Sequence, residues 1–338
     1  MKLASYRLFE HDGSRIGALC QSSEGAALID LRRAYASFLS QGGREPRAEV
    51  VARARIPASL LELLQAGPAG LEAARQALLH VQARLADGIP ATLLAAQGLL
   101  HRVSDVELLA PIPRPGKIVS VGANYQEHVQ EGRDSGVLGL LPSYPPAFLK
   151  MPSAVVGPET AIVFPSYGEE LDYEVELAIV IGQYCQDVEP SRWREVVAGY
   201  TIINDLGLRD TILREKDTGI IVLGKNFPGA CPMGPFLVTA DELPDPDDLP
   251  LRLKVNGEVR QQDRTSSMVH DCGTVVSYWS RLGLEPGDVL TTGTPGGSAG
   301  FGRRHPDRLL RPGDVIEAEI EGIGCLRNTI TAGRPATD

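Results

Sequence analysis

The chain has no dense run of lysine or arginine, and its formal net charge is −10. Nucleic acid and anionic membrane both call for a basic patch, so neither is expected as a partner. No window approaches the ~20 consecutive apolar residues that span a bilayer. The opening Met1-Lys2-Leu3-Ala4-Ser5-Tyr6-Arg7 enters an alternating strand pattern directly and lacks the apolar core of a signal peptide, so a cytoplasmic location is expected. Five cysteines (Cys20, Cys185, Cys231, Cys272, Cys325) are scattered without C-x-x-C spacing. They read as buried reduced thiols and suggest neither a disulfide framework nor a zinc site. There is no Walker A motif and no complete G-x-G-x-x-G, which leaves a nucleotide cofactor unsupported.

What is present is an ordinary globular composition, 43% hydrophobic and 22% charged, over 338 residues, enough for two domains and a sizeable core. Residues 1–110 read as a small α+β unit. Tyr6 to Glu10 and Arg15 to Cys20 predict a hairpin around His11-Asp12-Gly13-Ser14, because Asp-Gly supplies the positive φ that tight turns need. A helix is expected after Asp30, and Leu71, Ala74, Leu78, Val81 and Leu85 form an amphipathic stripe ending at Asp87-Gly88. His80 and His101 have no acid or cysteine at ligand spacing and read as structural. Three prolines within Pro111-Ile112-Pro113-Arg114-Pro115 mark the boundary, since proline cannot donate to a ladder. Residues 111–338 then form a second domain dominated by strands, with an Asn-Gly hairpin at Lys254 to Val259 and Pro-Gly turns at Pro286-Gly287 and Pro312-Gly313.

The stretch Leu171 to Gly182 reads as one strand whose Asp172, Glu174 and Glu176 share a face while Tyr173, Val175 and Leu177 share the other. Its second half, Ala178 to Ile181, is continuously apolar and so buried on both faces. Like charges in a row at the rim of a core repel. Either a hard cation such as Mg²⁺ offsets them, or they line a solvated edge strand. Upstream, His128 and Glu131 are three apart and meet on one face of a helix, the simplest arrangement for a general base. Residues 132–146, rich in Gly, Pro and Ser, suit a mobile lid. Gly296-Gly297-Ser298-Ala299-Gly300 fits G-x-S-x-G, but Gly302 and Pro306 interrupt the helix that a nucleophile elbow requires, and only His305 follows.

The segments Lys117 to Glu131, Phe148 to Ser153, Leu171 to Gly182 and Ile203 to Asp210 occur in order. Gly224-Lys225-Asn226-Phe227, Pro232 to Pro235, Thr292 to Pro295 and Ile320 to Gly324 follow them. Together, over roughly residues 115–332, they resemble the fumarylacetoacetate hydrolase superfamily. The resemblance implies a mixed-sheet, strand-rich α+β roll, a homodimer, and a metal site of Glu174, Glu176 and Asp205 for Mg²⁺, or alternatively Mn²⁺ or Ca²⁺. It also implies a catalytic His128–Glu131 dyad, Lys225 stabilising a developing enolate, and Tyr125, Lys150, Arg209 and Thr294 against substrate. The family often has Asp in place of Pro228. The implied reaction is hydrolysis of a carbon–carbon bond in a 1,3-diketo acid such as an acylpyruvate or a 2,4-dioxo sugar acid. The alternatives are decarboxylation, isomerisation or hydration of a 2-oxo acid on the same site, and, in another class, a non-catalytic binding protein.

Overall fold

The computed structural model describes residues 1–9, 11–41, 45–136, 138–300 and 305–333. Glu10, Val137 and Gly302, which three of the expectations above touch, lie outside them.

The chain opens with β1 (Lys2–Arg7), β2 (Arg15–Ser22) and β3 (Gly25–Asp30). The expected hairpin is present, with Tyr6 opposite Arg15. Asp30 caps α1 (Leu31–Ser40) by accepting from the Arg33 amide, which satisfies one of the helix's orphan donors. The helices α2 (Ala48–Arg55), α3 (Leu60–Gln65), α4 (Pro68–Ala86) and α5 (Ala91–Ala96) follow, then β4 (Leu100–Arg102) and β5 (Glu107–Leu109). In α4 the buried side is Gly70, Ala73, Ala74, Ala77 and Val81. Small residues bring it close to α1, and Leu71, Leu78 and Leu85 flank that seam.

The next strands are β6 (Ile118–Val121), β7 (Ala147–Lys150), β8 (Val155–Val156) and β9 (Ala161–Val163), with α6 (Gln126–Asp134) between β6 and β7. They are followed by β10 (Leu171–Asp172), β11 (Val175–Ile181), β12 (Val197–Asn204), β13 (Gly207–Leu208), α7 (Arg209–Lys216) and β14 (Cys231–Thr239). The last elements are β15 (Pro250–Val255), β16 (Glu258–Arg264), α8 (Cys272–Trp279), β17 (Val289–Thr291), β18 (Val315–Ile320) and β19 (Gly324–Thr331). Among the described residues a 12-stranded mixed sheet runs in the order β4-β3-β2-β1-β14-β12-β11-β17-β6-β7, with β5 beside β1 and β8 beside β14. A second sheet of 5 strands, β16-β15-β18-β19-β9, packs across β11 and β12. This is the strand-rich α+β class expected. The ladder between β1 and β14 crosses the residue-110 boundary, so the first strands extend the large sheet.

Every residue of β11, β12 and β14 is buried. Val175, Leu177, Ile179 and Ile181 are fully enclosed, each contributing roughly 1.5–3 kcal/mol of burial. One expectation needs correction. Leu171 to Gly182 is two strands, because Leu171 and Asp172 pair with Leu208 and Gly207 in a small sheet of their own, and the ladder to β12 begins only at Val175. The break falls at Tyr173-Glu174, and Asp172 is not among the three acids whose oxygens converge, Glu174, Glu176 and Asp205. No helix among the described residues is long and apolar enough to cross a membrane.

Candidate metal centre and active site

Antiparallel pairing of β11 with β12 places Glu176 opposite Ile203 and brings the end of β12 alongside Glu174. The Asp205 amide donates to the Glu174 carbonyl at 2.8 Å, and the Glu174 amide donates to the Asn204 side chain at 3.0 Å. One oxygen from each of Glu174, Glu176 and Asp205 then lies within 4.8 Å of the others, all three side chains being buried. The solvated-edge alternative therefore does not hold for these acids.

The charges around them are nearly balanced. Lys225 Nζ donates to Glu174 Oε2 at 2.5 Å and to the Asp205 carbonyl at 3.0 Å. Lys150 Nζ donates to Asp205 Oδ1 at 2.6 Å and to the Lys225 carbonyl at 2.7 Å. Arg209 forks between Asp172 Oδ2, at 2.7 Å, and Glu174 Oε1. Ser120 donates to Asp205 Oδ2 at 3.1 Å. Four carboxylates thus face three cations, and the surplus negative charge falls on Glu176, whose Oε2 has no hydrogen-bond partner among the described residues. Burial, then Asp205 and Glu174, push the Glu176 carboxyl well above the ordinary range. Burial acts on Glu174 in the same direction, but Arg209 and Lys225 outweigh it and hold that carboxyl below its usual value. For Lys225 burial favours the neutral amine, yet Asp205 and Glu174 raise it, so its charge is kept. Three convergent oxygen donors with one orphaned buried oxygen fit a hard divalent cation, which supplies the missing positive charge.

These groups form part of the wall of a cavity of about 730 Å³, together with His128, Arg209, Lys225 and Thr294. His128, at 4% exposure, is turned inward from α6. Its Nδ1 lies 3.5 Å from Glu131 Oε2. Glu131 Oε1 is held in turn by the Gly297 amide at 3.1 Å. A Cβ on Gly296 would come within 2.7 Å of Glu127 Cγ, so the Gly-rich loop is what lets α6 approach this closely. Leu138, Leu141 and Pro142, from the expected lid, line the same cavity.

The four residues expected against substrate take different places. Tyr125 is fully buried and is absent from the cavity wall among the described residues, because its bridge to Met268 draws it into the core. Lys150 sits behind Asp205 and orients that carboxylate, and it too is off the wall. Arg209 lines the cavity and is engaged there by two buried carboxylates, Asp172 and Glu174. Thr294 donates to the Val175 carbonyl at 3.0 Å and accepts from Gln261 at 2.9 Å, which fixes the loop. The Gly-rich segment also contributes two amides, Ala299 and Gly300, to Asp172. Ser120 and the structural duty of Asp172 were not anticipated; the signal for the first was a hydroxyl at the end of the Lys117 to Gly122 strand. A larger, open groove of about 1400 Å³ in the N-terminal layer contains none of the expected site residues.

Mixed sheets that gather three buried carboxylates and an inward-facing histidine around one cavity define a strand-rich α+β protein with a candidate carboxylate metal centre. Residues 117–331 match the model described as fumarylacetoacetate (FAA) hydrolase C-terminal, and the chain belongs to that family. Oxaloacetate tautomerase Fahd2a, mitochondrial, of Rattus norvegicus is 36% identical over 276 residues, 81% of this chain and 80% of that protein. Maleylpyruvate hydrolase from Sphingobium sp. SYK-6, solved with manganese(II) and pyruvate, superposes with a TM-score of 0.69 at 27% identity, covering 99% of this chain and 100% of that one. The 5-carboxymethyl-2-hydroxymuconate delta-isomerase from Mycobacterium smegmatis gives 0.66 at 28% identity, covering 98% and 100%.

Proposed function

We propose that the chain interconverts the keto and enol forms of a 2-oxo acid at a divalent-cation site, with oxaloacetate as the first substrate to test. The observation that carries this reading is the sharing of one cavity by the Glu174, Glu176 and Asp205 oxygens and the His128 imidazole. The choice of tautomerisation over hydrolysis follows the relatives at 36% identity across four fifths of both chains, which are oxaloacetate tautomerases.

Glu174, Glu176 and Asp205 would hold Mg²⁺ or Mn²⁺. Such a cation supplies Lewis-acid polarisation of the 2-oxo group. His128 takes a proton from C3 through Nε2 and then gives a proton to the C2 oxygen, which returns the imidazole to its starting state, and the reverse direction uses the same group. Glu131 orients the imidazole and favours its charged form once the proton has arrived. Lys225 and Lys150 keep Glu174 and Asp205 ionised and in place. Lys225, on the wall, also offers positive charge to oxygen that becomes negative during the transfer.

Carbon–carbon hydrolysis of a 1,3-diketo acid is the second reading, favoured by the same His128–Glu131 pair, which is also the arrangement that activates water. One experiment separates them. Enol oxaloacetate and an acylpyruvate are each followed by ultraviolet absorbance with Mn²⁺ or with EDTA, and products are identified. Mn²⁺-dependent loss of the enol signal with oxaloacetate recovered intact supports tautomerisation. Release of two acids from the acylpyruvate at a faster rate selects hydrolysis, and neither activity in Mn²⁺ rejects both.

A further inference from the structure

The open groove of about 1400 Å³ in the N-terminal layer holds none of the groups used in the proposed reaction, yet it gathers cations. Five arginines line it, Arg15, Arg32, Arg33, Arg53 and Arg84, in a chain whose net charge is −10. Four carboxylates share the wall. Asp30 is buried and pairs with Arg15 at 3.0 Å, whereas Asp12, Glu49 and Asp87 are exposed to water.

The arginines converge from separate elements. Arg33 and Ser37 are one turn apart on α1, and His80 and Arg84 are one turn apart on α4. The Ser37 hydroxyl meets His80 Nε2 at 3.0 Å, which docks the two faces. Arg84 Nη2 donates to Gln97 Oε1 at 3.0 Å, and a Cβ on the next residue, Gly98, would collide with Arg33 Nη1. Both guanidiniums therefore lie against the same two residues of the turn between α5 and β4, and Gly98, at φ 68°, is what lets Arg33 come so close. Asp30 draws in Arg15 as well, because it accepts from Arg15 Nη1 and from the Arg33 amide. Like charges brought together in this way repel. Burial, then Arg84, hold the His80 imidazole below its ordinary value, so it adds a neutral hydrogen-bonding group to the cluster. A guanidinium has five N–H donors, and the bonds to Asp30, Ile56 and Gln97 use one nitrogen each of Arg15, Arg32 and Arg84.

We infer that this groove is a binding site for a multiply charged organic phosphate, with Arg33 and Arg84 receiving the phosphate oxygens. The anion supplies the negative charge that the convergent arginines lack. Phosphate presents oxygens in three directions, which suits guanidiniums arriving from α1 and α4, whereas a planar carboxylate is satisfied by a single fork. The volume is far more than one phosphate group fills, and Ile16, Ala36, Ala58 and Ile89 on the same wall give an apolar surface for the organic part.

Calorimetry on the full chain in EDTA, at constant ionic strength, tests the site with pyrophosphate as the probe; without a divalent cation this probe has no bridge to the carboxylate cluster. Pyrophosphate should bind saturably and at least about tenfold more tightly than citrate, which carries comparable charge on planar groups. Replacing both arginines, Arg33→Gln with Arg84→Gln, should weaken pyrophosphate at least about tenfold. Arg75→Gln, on the same helix but paired with Asp241 and off the groove wall, should leave it unchanged. In the wild type pyrophosphate should also slow amide exchange in residues 31–41 and 80–98, a readout that stands even if the double variant does not fold. The assignment is overturned by no saturable binding, by equal affinity for citrate, by unchanged affinity in the double variant, or by protection confined to other parts of the chain.

Discussion

Asp172 and Glu176 are both buried acids four residues apart, yet their substitution should have opposite consequences. Asp172 is ion-paired with Arg209 and accepts three backbone amides, so Asp172→Asn should lower stability by about 3 kcal/mol, read from the denaturation midpoint. Glu176 carries the surplus negative charge, so Glu176→Gln should leave the metal-free protein at least as stable as wild type and remove the rise in Tm that Mg²⁺ or Mn²⁺ produces. A Glu176→Gln protein still stabilised by metal would refute the three-carboxylate site. His128→Ala should keep its midpoint within ~1 kcal/mol and lose at least ~10² in kcat, as expected for a general base. The acids of the cluster were legible in the sequence because i, i+2 alternation places Glu174 and Glu176 on one face, and Asp205 closes a β-rich run. Asp172 belonged to the same alternation, but the strand breaks after it. Tyr125 and Lys150 could not be placed from local pattern, since only the tertiary packing decides which side of the cluster a buried chain approaches from.

At the scale of elements, the hairpins were legible wherever a turn residue announces itself. Asn256 and Gly257 take positive φ values of 52° and 81° between β15 and β16, and Asp30 begins α1 as its side chain requires. The β17–β6 parallel pair was not legible, because its partners are more than 160 residues apart and no turn links them. That pair sets Ser120 beside Thr291, at 3.0 Å, under Asp205. The dyad was readable from its spacing on α6, and the segment after it supplies Leu138, Leu141 and Pro142 to the cavity. If this segment orders over a bound acid, amides from Val129 to Gly136 should gain hydrogen-exchange protection with Mg²⁺ plus oxalate and much less with Mg²⁺ alone. Equal protection in both states would mean that the dyad is fully assembled before ligand arrives.

For the whole molecule, a compositional boundary near residue 110 was visible in its prolines, but the continuity of β1 with β14 was not, since a strand's neighbour across 230 residues leaves no local trace. The α4 face reinforces that junction, where Arg75 pairs with Asp241 at 2.8 Å. The Thr239 hydroxyl foremost, with Arg75 adding to it, lowers the Asp241 carboxyl to about 2. Its folded-state value lies below the ordinary aspartate value, so the stability it contributes is present above pH ~4 and is lost as pH falls toward about 2. Side chains this exposed are screened, and the effect should be small. Asp241→Asn should flatten that part of the Tm-versus-pH curve, whereas an unchanged curve would remove Asp241 from the account of the junction.

The proposed activity is proton transfer at C3 by His128 beside a cation held by Glu174, Glu176 and Asp205. Incorporation of deuterium from solvent at C3 of oxaloacetate, followed by proton NMR, measures that transfer directly and does not depend on which product is released. With Mg²⁺ the wild type should accelerate exchange above the rate given by the same Mg²⁺ without protein, and EDTA or His128→Ala should return it to the uncatalysed rate. Acceleration that persists in EDTA, or in His128→Ala, would contradict the proposed site.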